Sequence, residues 1–146
     1  GSITGATMSL NSVTQASAVN LTLTENVPED GGTNLVLQGT TSLEVANSIF
    51  WQNGDELSGD ATPSVRYSIV PNNVSNDITN LTEDPLFTNP PSAELGEMDL
   101  RLQASSVAID SGDNELVATD YCGSDAANNQ RIVNGVVDRG AYELNP

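Results

Sequence analysis

Two segments decide the fold: Asn20-Leu21-Thr22-Leu23-Thr24-Glu25-Asn26 and Asn47-Ser48-Ile49-Phe50-Trp51-Gln52-Asn53. They lie 27 residues apart and carry Asn at both ends. Tyr67-Ser68-Ile69-Val70-Pro71-Asn72-Asn73 repeats the apolar pair and the final Asn 20 residues later, and Asp84-Pro85-Leu86-Phe87-Thr88-Asn89 repeats them after another 17. Recurrence at such a period indicates a repeat architecture, in which each unit packs on its neighbours.

Shorter strand candidates lie between these segments, from Met8 to Val13, from Asn34 to Gln38 and from Ser42 to Val45. Apolar residues alternate with small polar ones and show no helical period, which predicts short β-strands. Stacked coils spaced by about 4.8 Å would pair each strand with its equivalents above and below. The pattern therefore predicts a β-solenoid with turns of unequal length, and a β-sandwich is the alternative all-β architecture.

The bounding Asn residues are expected at turns, because Asn tolerates left-handed backbone geometry and its amide can hydrogen-bond along a stack. The predicted inward-facing layer consists of Leu21, Leu23, Ile49, Ile69, Val70, Leu86 and Phe87.

From Asn47 onward the sequence resembles a family of bacterial surface proteins. The matching stretches are Asn47 to Gly54, Tyr67 to Val70, Asp84 to Phe87, Leu100 to Gln103, Ser106 to Gly112, Thr119-Asp120, Gln130 to Ile132 and Val137 to Glu143. The stretches from Leu100 onward follow the order "LxLxxxSPAIDAG", "TD", "PRI" and "VDIGAYE". Together they resemble the choice-of-anchor Q domain, a C-terminal module of right-handed parallel β-helix proteins. Val107 and Gln130 replace prolines of that pattern, and Arg139 replaces an aliphatic residue.

The resemblance implies a right-handed parallel β-helix with an irregular C-terminal cap. Residues 1–83 would form the last coils, and residues 84–146 would form a cap packed on them within one structural domain. A last coil exposes unpaired backbone groups and an apolar cross-section, so a solenoid needs such a cover. We expect Gly1-Ser2 to be a cloning remnant.

The charge balance excludes several functions. Twenty acidic residues oppose four basic ones, all of them arginine, and the net charge is -16. Nucleic acid and anionic membrane surfaces need clustered cations, so neither is an expected partner. The chain has no histidine for acid–base or nucleophilic catalysis and no lysine for a Schiff base. Cys122 is the only cysteine, which excludes an internal disulfide.

A cluster of acidic residues near the C-terminus has two possible interpretations. One is a Ca²⁺ site, since calcium takes hard oxygen ligands on flexible turns; its residues would be Asp110, Asp113, Glu115, Asp120 and Asp125. The other is structural: Asp110 and Asp120 would accept backbone N–H bonds and pair with Arg131. The resemblance favours the second, as a buried network of Asp110, Asp120, Arg131, Asp138 and Glu143.

Three residues on the coils are candidates for ligand binding: Trp51, Tyr67 and Arg66. The aromatic pair could form a platform for sugar stacking, and Arg66 is the one cation on a coil rather than in the cap. Because successive strand residues point to opposite faces, a buried Phe50 places Trp51 outward or at a packed corner.

The sequence thus predicts a non-catalytic extracellular structural or adhesion module. Its expected partners are an extracellular polysaccharide or cell-surface glycan and the rest of a parent β-helix, with Ca²⁺ the one cofactor considered. Its expected location is outside the cell or on the bacterial surface, where an acidic solvated surface suits marine and salt-adapted proteins. No membrane insertion by this segment is expected, since no apolar run is long enough. The alternative function is the C-terminal part of a polysaccharide lyase or hydrolase whose catalytic site lies elsewhere in the parent.

Overall fold

The computed structural model describes residues 8–24, 35–38, 42–52, 57–59, 62–71, 77–90, 98–117 and 123–145. These residues form an all-β fold with one short 3-10 helix, Asn114–Leu116. The strands are β1 (Met8–Asn11), β2 (Ala16–Val19), β3 (Thr22–Thr24), β4 (Leu35–Gln38), β5 (Leu43–Ala46), β6 (Ile49–Trp51), β7 (Leu57–Gly59), β8 (Ser64–Arg66), β9 (Phe87–Asn89) and β10 (Asp99–Leu102). The described residues include no helix long and apolar enough to cross a bilayer.

Eight of these strands form three parallel ladders, in which each strand pairs with the one three elements later. The ladders are β1-β4-β7, β2-β5-β8 and β3-β6. The first pairings all share one offset of 27: Met8 with Leu35, Ala16 with Leu43 and Thr22 with Ile49. The predicted offset is therefore confirmed as a pairing register.

The third ladder continues beyond β6 through two isolated parallel bridges. Ile49 pairs with Ile69, which confirms the predicted offset of 20, and Ile69 pairs with Leu81 only 12 residues later. The fourth repeat had been expected at Asp84 to Asn89, and that expectation is wrong. Phe87 lies instead in β9, which runs antiparallel to β10 and pairs with Leu102. Within the described residues the ladder thus has four levels, marked by Thr22, Ile49, Ile69 and Leu81.

A left-handed residue precedes the third ladder at three successive levels. Asn20, Asn47 and Tyr67 have φ angles of 53°, 48° and 48°. The expected left-handed geometry of Asn is thereby confirmed at the first two levels, where its short polar side chain makes the geometry cheap. Asn26, Asn53, Asn72 and Asn73 lie outside the described residues.

Beside these corners, a polar side chain of each level accepts a backbone N–H of the level before it. Leu21 N–H donates to Ser48 Oγ at 3.1 Å, Ser48 N–H donates to Ser68 Oγ at 3.1 Å, and Ser68 N–H donates to Asn80 Oδ1 at 3.0 Å. The Ser48 hydroxyl in turn donates to Ala46 O at 2.7 Å. These side chains satisfy amides that the strand ladder leaves unpaired where the chain turns, as buried N–H groups require.

Two apolar clusters lie on opposite faces of the third ladder, as alternating side chains dictate. The first, between the second and third ladders, contains Ala18, Leu43, Val45, Phe50, Val65 and Val70, with Ala16, Leu21 and Leu23 packed against it. The second contains Ile49, Ile69, Phe87, Leu102 and Ala108. The prediction of one inward layer is therefore wrong for Ile49, Ile69 and Phe87, which are buried on the other face. Leu86 is half-buried.

The second cluster is buried because the segment after the ladder folds back over it. Phe87 and Leu102 of the antiparallel pair cover Ile49 and Ile69. Gln103 N–H donates to Leu86 O at 2.9 Å and the Ser106 hydroxyl donates to Pro85 O at 2.5 Å, which hold the segment together. This packing covers one face of the third ladder. A cap formed by residues 84–146 stays a prediction.

Replacing Ser48 with Ala should destabilise the fold by about 1–3 kcal/mol, because it leaves the Leu21 amide without its acceptor. Ser64→Ala is the matched control, since Ser64 is exposed in β8 and should change stability by less than about 0.5 kcal/mol. Urea unfolding followed by circular dichroism measures both. Equal losses in the two variants would contradict the role given to the Ser48 hydroxyl.

Candidate functional site

Residues 138–141, named here the strap, cross the levels of the third ladder. Asn20 Nδ2 donates to Asp138 O at 3.2 Å, Gly140 N–H donates to Asn47 O at 2.7 Å, and Ala141 N–H donates to Thr22 Oγ1 at 2.9 Å. The strap is therefore bonded to the first two levels through the backbone and side chains of their corners.

Asn47 joins the ladder to the segment before the strap. Its Nδ2 donates to Asp113 O at 2.9 Å, and its Oδ1 accepts the Asp113 N–H at 2.8 Å. The residue is fully buried. An amide that pairs with both polar groups of one residue fixes its position in two directions, so Asp113 is held against the corner.

Two glycines allow the close approach of these segments. A Cβ on Gly140 would lie 2.7 Å from Ile49 Cδ1 and 2.8 Å from Thr22 Oγ1, and one on Gly112 would lie 2.7 Å from Val137 Cγ1 and 2.9 Å from Asn47 Oδ1. Gly140 also has a φ of 95°, which side chains disfavour.

Arg139 of the strap is buried and reaches the third and fourth levels. Its Nη1 donates to Ser68 O at 3.0 Å and to Thr79 O at 2.9 Å, while Nε and Nη2 donate to Ser111. Burial lowers the pKa of Arg139 to about 10. The N–H donors of the guanidinium thus bond backbone carbonyls of the third and fourth levels and also Ser111. Arg139 thereby links these two levels to the segment that contains Ser111. Sequence reasoning missed this role, although the replacement of an aliphatic residue marked the position.

A buried ionic network lies behind the strap. Arg131 donates through Nε and Nη2 to Glu143 Oε1 at 3.1 and 2.9 Å, and also to the Gly140 and Ala141 carbonyls. Glu143 Oε1 accepts the Asp138 N–H at 3.0 Å, and Glu143 N–H donates to Asp125 Oδ2 at 3.0 Å. The structure therefore brings together Arg131, Asp138, Glu143 and Asp125.

Burial and hydrogen bonds together set the pKa values of these carboxyl groups. Desolvation and, to a smaller extent, the nearby Asp138 carboxylate raise the pKa of Glu143 to about 7 against the pull of Arg131. Glu143 Oε2 is buried with no hydrogen-bond partner among the described residues, which disfavours the ionised form. Desolvation also raises the pKa of Asp138. At Asp125 burial opposes ionisation, but backbone N–H groups of Glu143 and Asn129 outweigh it and hold the pKa below the usual range.

Of the two other residues predicted for the network, Asp110 lies among the described residues and contacts Asp138 through its backbone. Asp110 is exposed, and its N–H donates to Asp138 Oδ1 at 2.7 Å. Its expected pairing with Arg131 is wrong, because the guanidinium is occupied by Glu143 and two carbonyls. Asp120 and Cys122 lie outside the described residues.

Two of the residues predicted to bind Ca²⁺, Asp113 and Asp125, use their carboxylates in separate local turns. Asp113 Oδ1 accepts the Glu115 N–H at 2.9 Å, and Asp125 Oδ1 accepts the N–H groups of Ala127 and Asn129. Among the described residues no group of three acidic, histidine or cysteine side chains is placed to hold a metal ion. Calcium binding stays a prediction. The turn that holds Asp125 was visible in the sequence as Asp125 followed by two alanines and two asparagines.

The other candidate feature is a cleft at Trp51, with a volume of about 210 Å³. Its apolar walls are Trp51, Leu86, Phe87 and Pro90, and its polar walls are Gln52, Asp84 and Gln103. Phe50 is buried in the first cluster, so Trp51 lies on the opposite face, half-buried against the second cluster. The two alternatives for Trp51 were a packed corner and an outward-facing side chain. Each agrees in part with the structure, because the indole packs against the second cluster and also lines the cleft.

Arg66 and Tyr67 do not belong to the described residues that line this cleft. Arg66 forms an ion pair with Glu44 of the preceding level, and this bond raises the pKa of Arg66. Tyr67 occupies the left-handed corner of the third level, where its N–H donates to Thr79 Oγ1 at 3.0 Å. Of the three residues predicted to bind a ligand, Trp51 is therefore the one that lines this cleft among the described residues.

Gly140→Ala should unfold at lower urea than Gly135→Ala, with a difference of about 1–3 kcal/mol for forcing a methyl group into packed atoms. Gly135 is a close control: it has the same φ of 95°, and none of the described residues comes within 4 Å of its added Cβ. The backbone cost is thus common to both variants. Equal stabilities would show that the strap does not pack against Ile49 and Thr22.

Stability should fall as pH rises from about 4.5 to about 7, since the folded state then holds a proton on Glu143 that the unfolded state has released. Glu143→Gln should flatten this slope, whereas Glu115→Gln, at an exposed position, should leave it unchanged. Urea midpoints across that pH range measure the slopes. Parallel curves for all three proteins would contradict a raised pKa at Glu143.

Comparison of the chain with protein-family models, with curated proteins and with solved structures finds no match. The roles of the cleft and of the strap are therefore inferred from their own contacts and charges.

Proposed function

We propose that the chain is the C-terminal, non-catalytic structural and adhesion module of an extracellular right-handed parallel β-helix. The observation that carries this proposal is the succession of parallel registers, with offsets of 27, then 20, then 12 along the third ladder. Strands that recur every third element in parallel ladders are what stacked coils of three strands require. Crossovers between parallel strands are right-handed in about 98% of cases, which supports the proposed hand.

The shrinking offset supports a terminal position within the stack. A coil of 27 residues can carry three strands with their turns, whereas a return of 12 residues adds only the Asn80–Leu81 stretch to the third ladder. The chain then leaves the parallel ladders for the antiparallel pair of β9 and β10. This is the order expected where a solenoid ends and its chain folds back to cover a face.

The strap and the two buried arginines, Arg131 and Arg139, suit a structural role. Arg131 and Arg139 spend their donors on backbone carbonyls, on Ser111 and on Glu143, so that the two buried cations bind segments of the chain to one another. Glu143 and Asp138, both buried, are likewise engaged by backbone N–H groups. Such groups are poorly placed to exchange protons with a substrate, which needs a carboxyl within hydrogen-bond reach of the bond it cleaves.

The complete open reading frame tests the proposed architecture. We expect further Asn-bounded segments upstream at the intervals of 20 and 27 residues seen between the described levels, preceded by an export signal. An upstream region without such repeats would contradict the β-helix.

A cleavage assay separates this proposal from the enzymatic alternative. The chain would be incubated with pectate, alginate and a β-1,4-glucan, and new reducing ends and unsaturated uronates would be measured. No turnover is expected from the chain. Turnover abolished by Glu143→Gln or Asp84→Asn would overturn the non-catalytic assignment, and turnover by the full-length parent alone would place the catalytic site in other coils.

A further inference from the structure

We propose that the Trp51 cleft binds one neutral hexopyranose ring of a polysaccharide, the remaining sugars lying in solvent. The proposal rests on the proposed extracellular adhesion function and names the site and the class of sugar. Its volume of about 210 Å³ sets the scale. Sites that enclose a whole drug-sized ligand measure roughly 300–1,000 Å³, so this cleft suits a single ring of a longer chain.

The apolar side of the cleft matches the apolar face of a pyranose. A sugar ring presents a patch of weakly positive C–H groups, and the π face of an indole is negative and apolar. Trp51 is held in place because it packs against the second cluster beside Ile49 and Phe87. A ring that is already fixed loses little conformational freedom when a sugar stacks on it.

The polar side of the cleft offers acceptors for hydroxyl groups. Asp84 is exposed, and its Oδ1 accepts the Leu86 N–H at 2.8 Å, which orients the carboxylate. Gln103 Nε2 donates to Phe87 O at 2.7 Å, and this bond leaves its Oε1 as an acceptor. Gln52 adds an amide with both donor and acceptor groups. A mixed set of amides and a carboxylate beside an aromatic ring is suited to a ligand rich in hydroxyl groups.

Charge selects among sugars. None of the seven described residues that line the cleft is cationic, and Asp84 places a negative charge at its edge. Arg66 and Arg101 are occupied by Glu44 and Asp99. The chain carries a net charge of -16, so a uronate or sulfated sugar would approach against both the local and the overall field. The occupant is therefore a neutral sugar.

The backbone of the cleft is held in an unusual conformation. Gln52 and Leu86 both line the opening, and both have left-handed φ angles, of 54° and 52°. This geometry is a genuine outlier for a bulky residue such as Leu. Outliers of this kind cluster at binding sites, where the surrounding structure holds a conformation that the ligand needs.

The single tryptophan of the chain makes the test direct, because all indole fluorescence reports on this cleft. The chain would be titrated with hexasaccharides of β-1,4-linked glucose, β-1,4-linked mannose and α-1,4-linked glucose, and with hexagalacturonate as the anionic probe. We expect saturable emission changes with at least one neutral probe. Hexagalacturonate should bind at least about tenfold more weakly at low ionic strength, a difference of about 1.4 kcal/mol.

Variants then assign the interaction to named side chains. Trp51→Leu, assayed by calorimetry and checked for folding by circular dichroism, should lose binding of the neutral probe. Asp84→Asn preserves the acceptor for the Leu86 N–H and should narrow the gap between neutral and anionic probes. Glu83→Gln removes an equal charge from the neighbouring exposed residue and should leave that gap unchanged, which separates the local carboxylate from the net charge.

Absence of binding by every saccharide, or unchanged affinity in a folded Trp51→Leu variant, would overturn the sugar site and leave the structural function standing. Hexagalacturonate binding as tightly as the neutral probes would overturn the assignment of sugar class. Cleavage of a bound probe would instead overturn the proposed non-catalytic function, so the two proposals fail in different ways.

Discussion

Asn47 is fully buried at its corner of the ladder and has three structural roles there. Its backbone takes a left-handed conformation so that the chain can turn from β5 into β6. Its carbonyl accepts the Gly140 N–H, and its side-chain amide pairs with both polar groups of Asp113. An Asn tolerates the turn and has donor and acceptor groups on a side chain short enough to reach. The register of the ladder, the path of the strap and the placement of residues 112–113 all depend on this residue.

Charge is distributed unequally between the surface and the interior. Two of the four arginines are buried, although acidic residues outnumber basic ones fivefold. Arg131 is paired with a carboxylate, while the hydrogen bonds of Arg139 end on carbonyl and hydroxyl oxygens. Partial charges on three carbonyls thus take the place of a counter-ion. The arrangement leaves the surface strongly negative, and the same negative field bears on what the Trp51 cleft can accept.

The sequence predicted the levels of the ladder that are marked by repeated segments. It did not predict the level whose paired stretch is too short to form a recognisable repeat. Offsets of 27 and 20 followed from Asn47, Ile49 and Ile69, because equivalent residues recur at equivalent turns. The last level rests on Asn80 and Leu81, and so short a stretch has no periodicity. Leu86 and Phe87 imitated the repeated apolar pair, yet Phe87 belongs to an antiparallel strand that covers the ladder.

The buried network and the Trp51 cleft were likewise predicted only in part from the sequence. The motif order indicated that Arg131, Asp138 and Glu143 belong together, but the spacing could not show that Arg131 pairs with Glu143 rather than Asp110. Asp125 looked like a cation ligand because acidic residues crowd around it, whereas its oxygens accept bonds from its own turn and from Glu143. The Trp51 cleft could not be predicted in full, since Asp84 and Gln103 reach it only through the antiparallel return of the chain.

Scalar couplings across hydrogen bonds, measured by NMR on the isotope-labelled chain, test the parallel stacking of levels most directly. We expect couplings from the Ile49 amide to the Leu21 carbonyl, from Ile69 to Ser48, from Leu81 to Ser68 and from Gly140 to Asn47. These four pairs together define parallel levels joined by the strap. Couplings that instead pair β2, β3, β5 and β6 as antiparallel neighbours would show a β-sandwich and contradict the parallel stack.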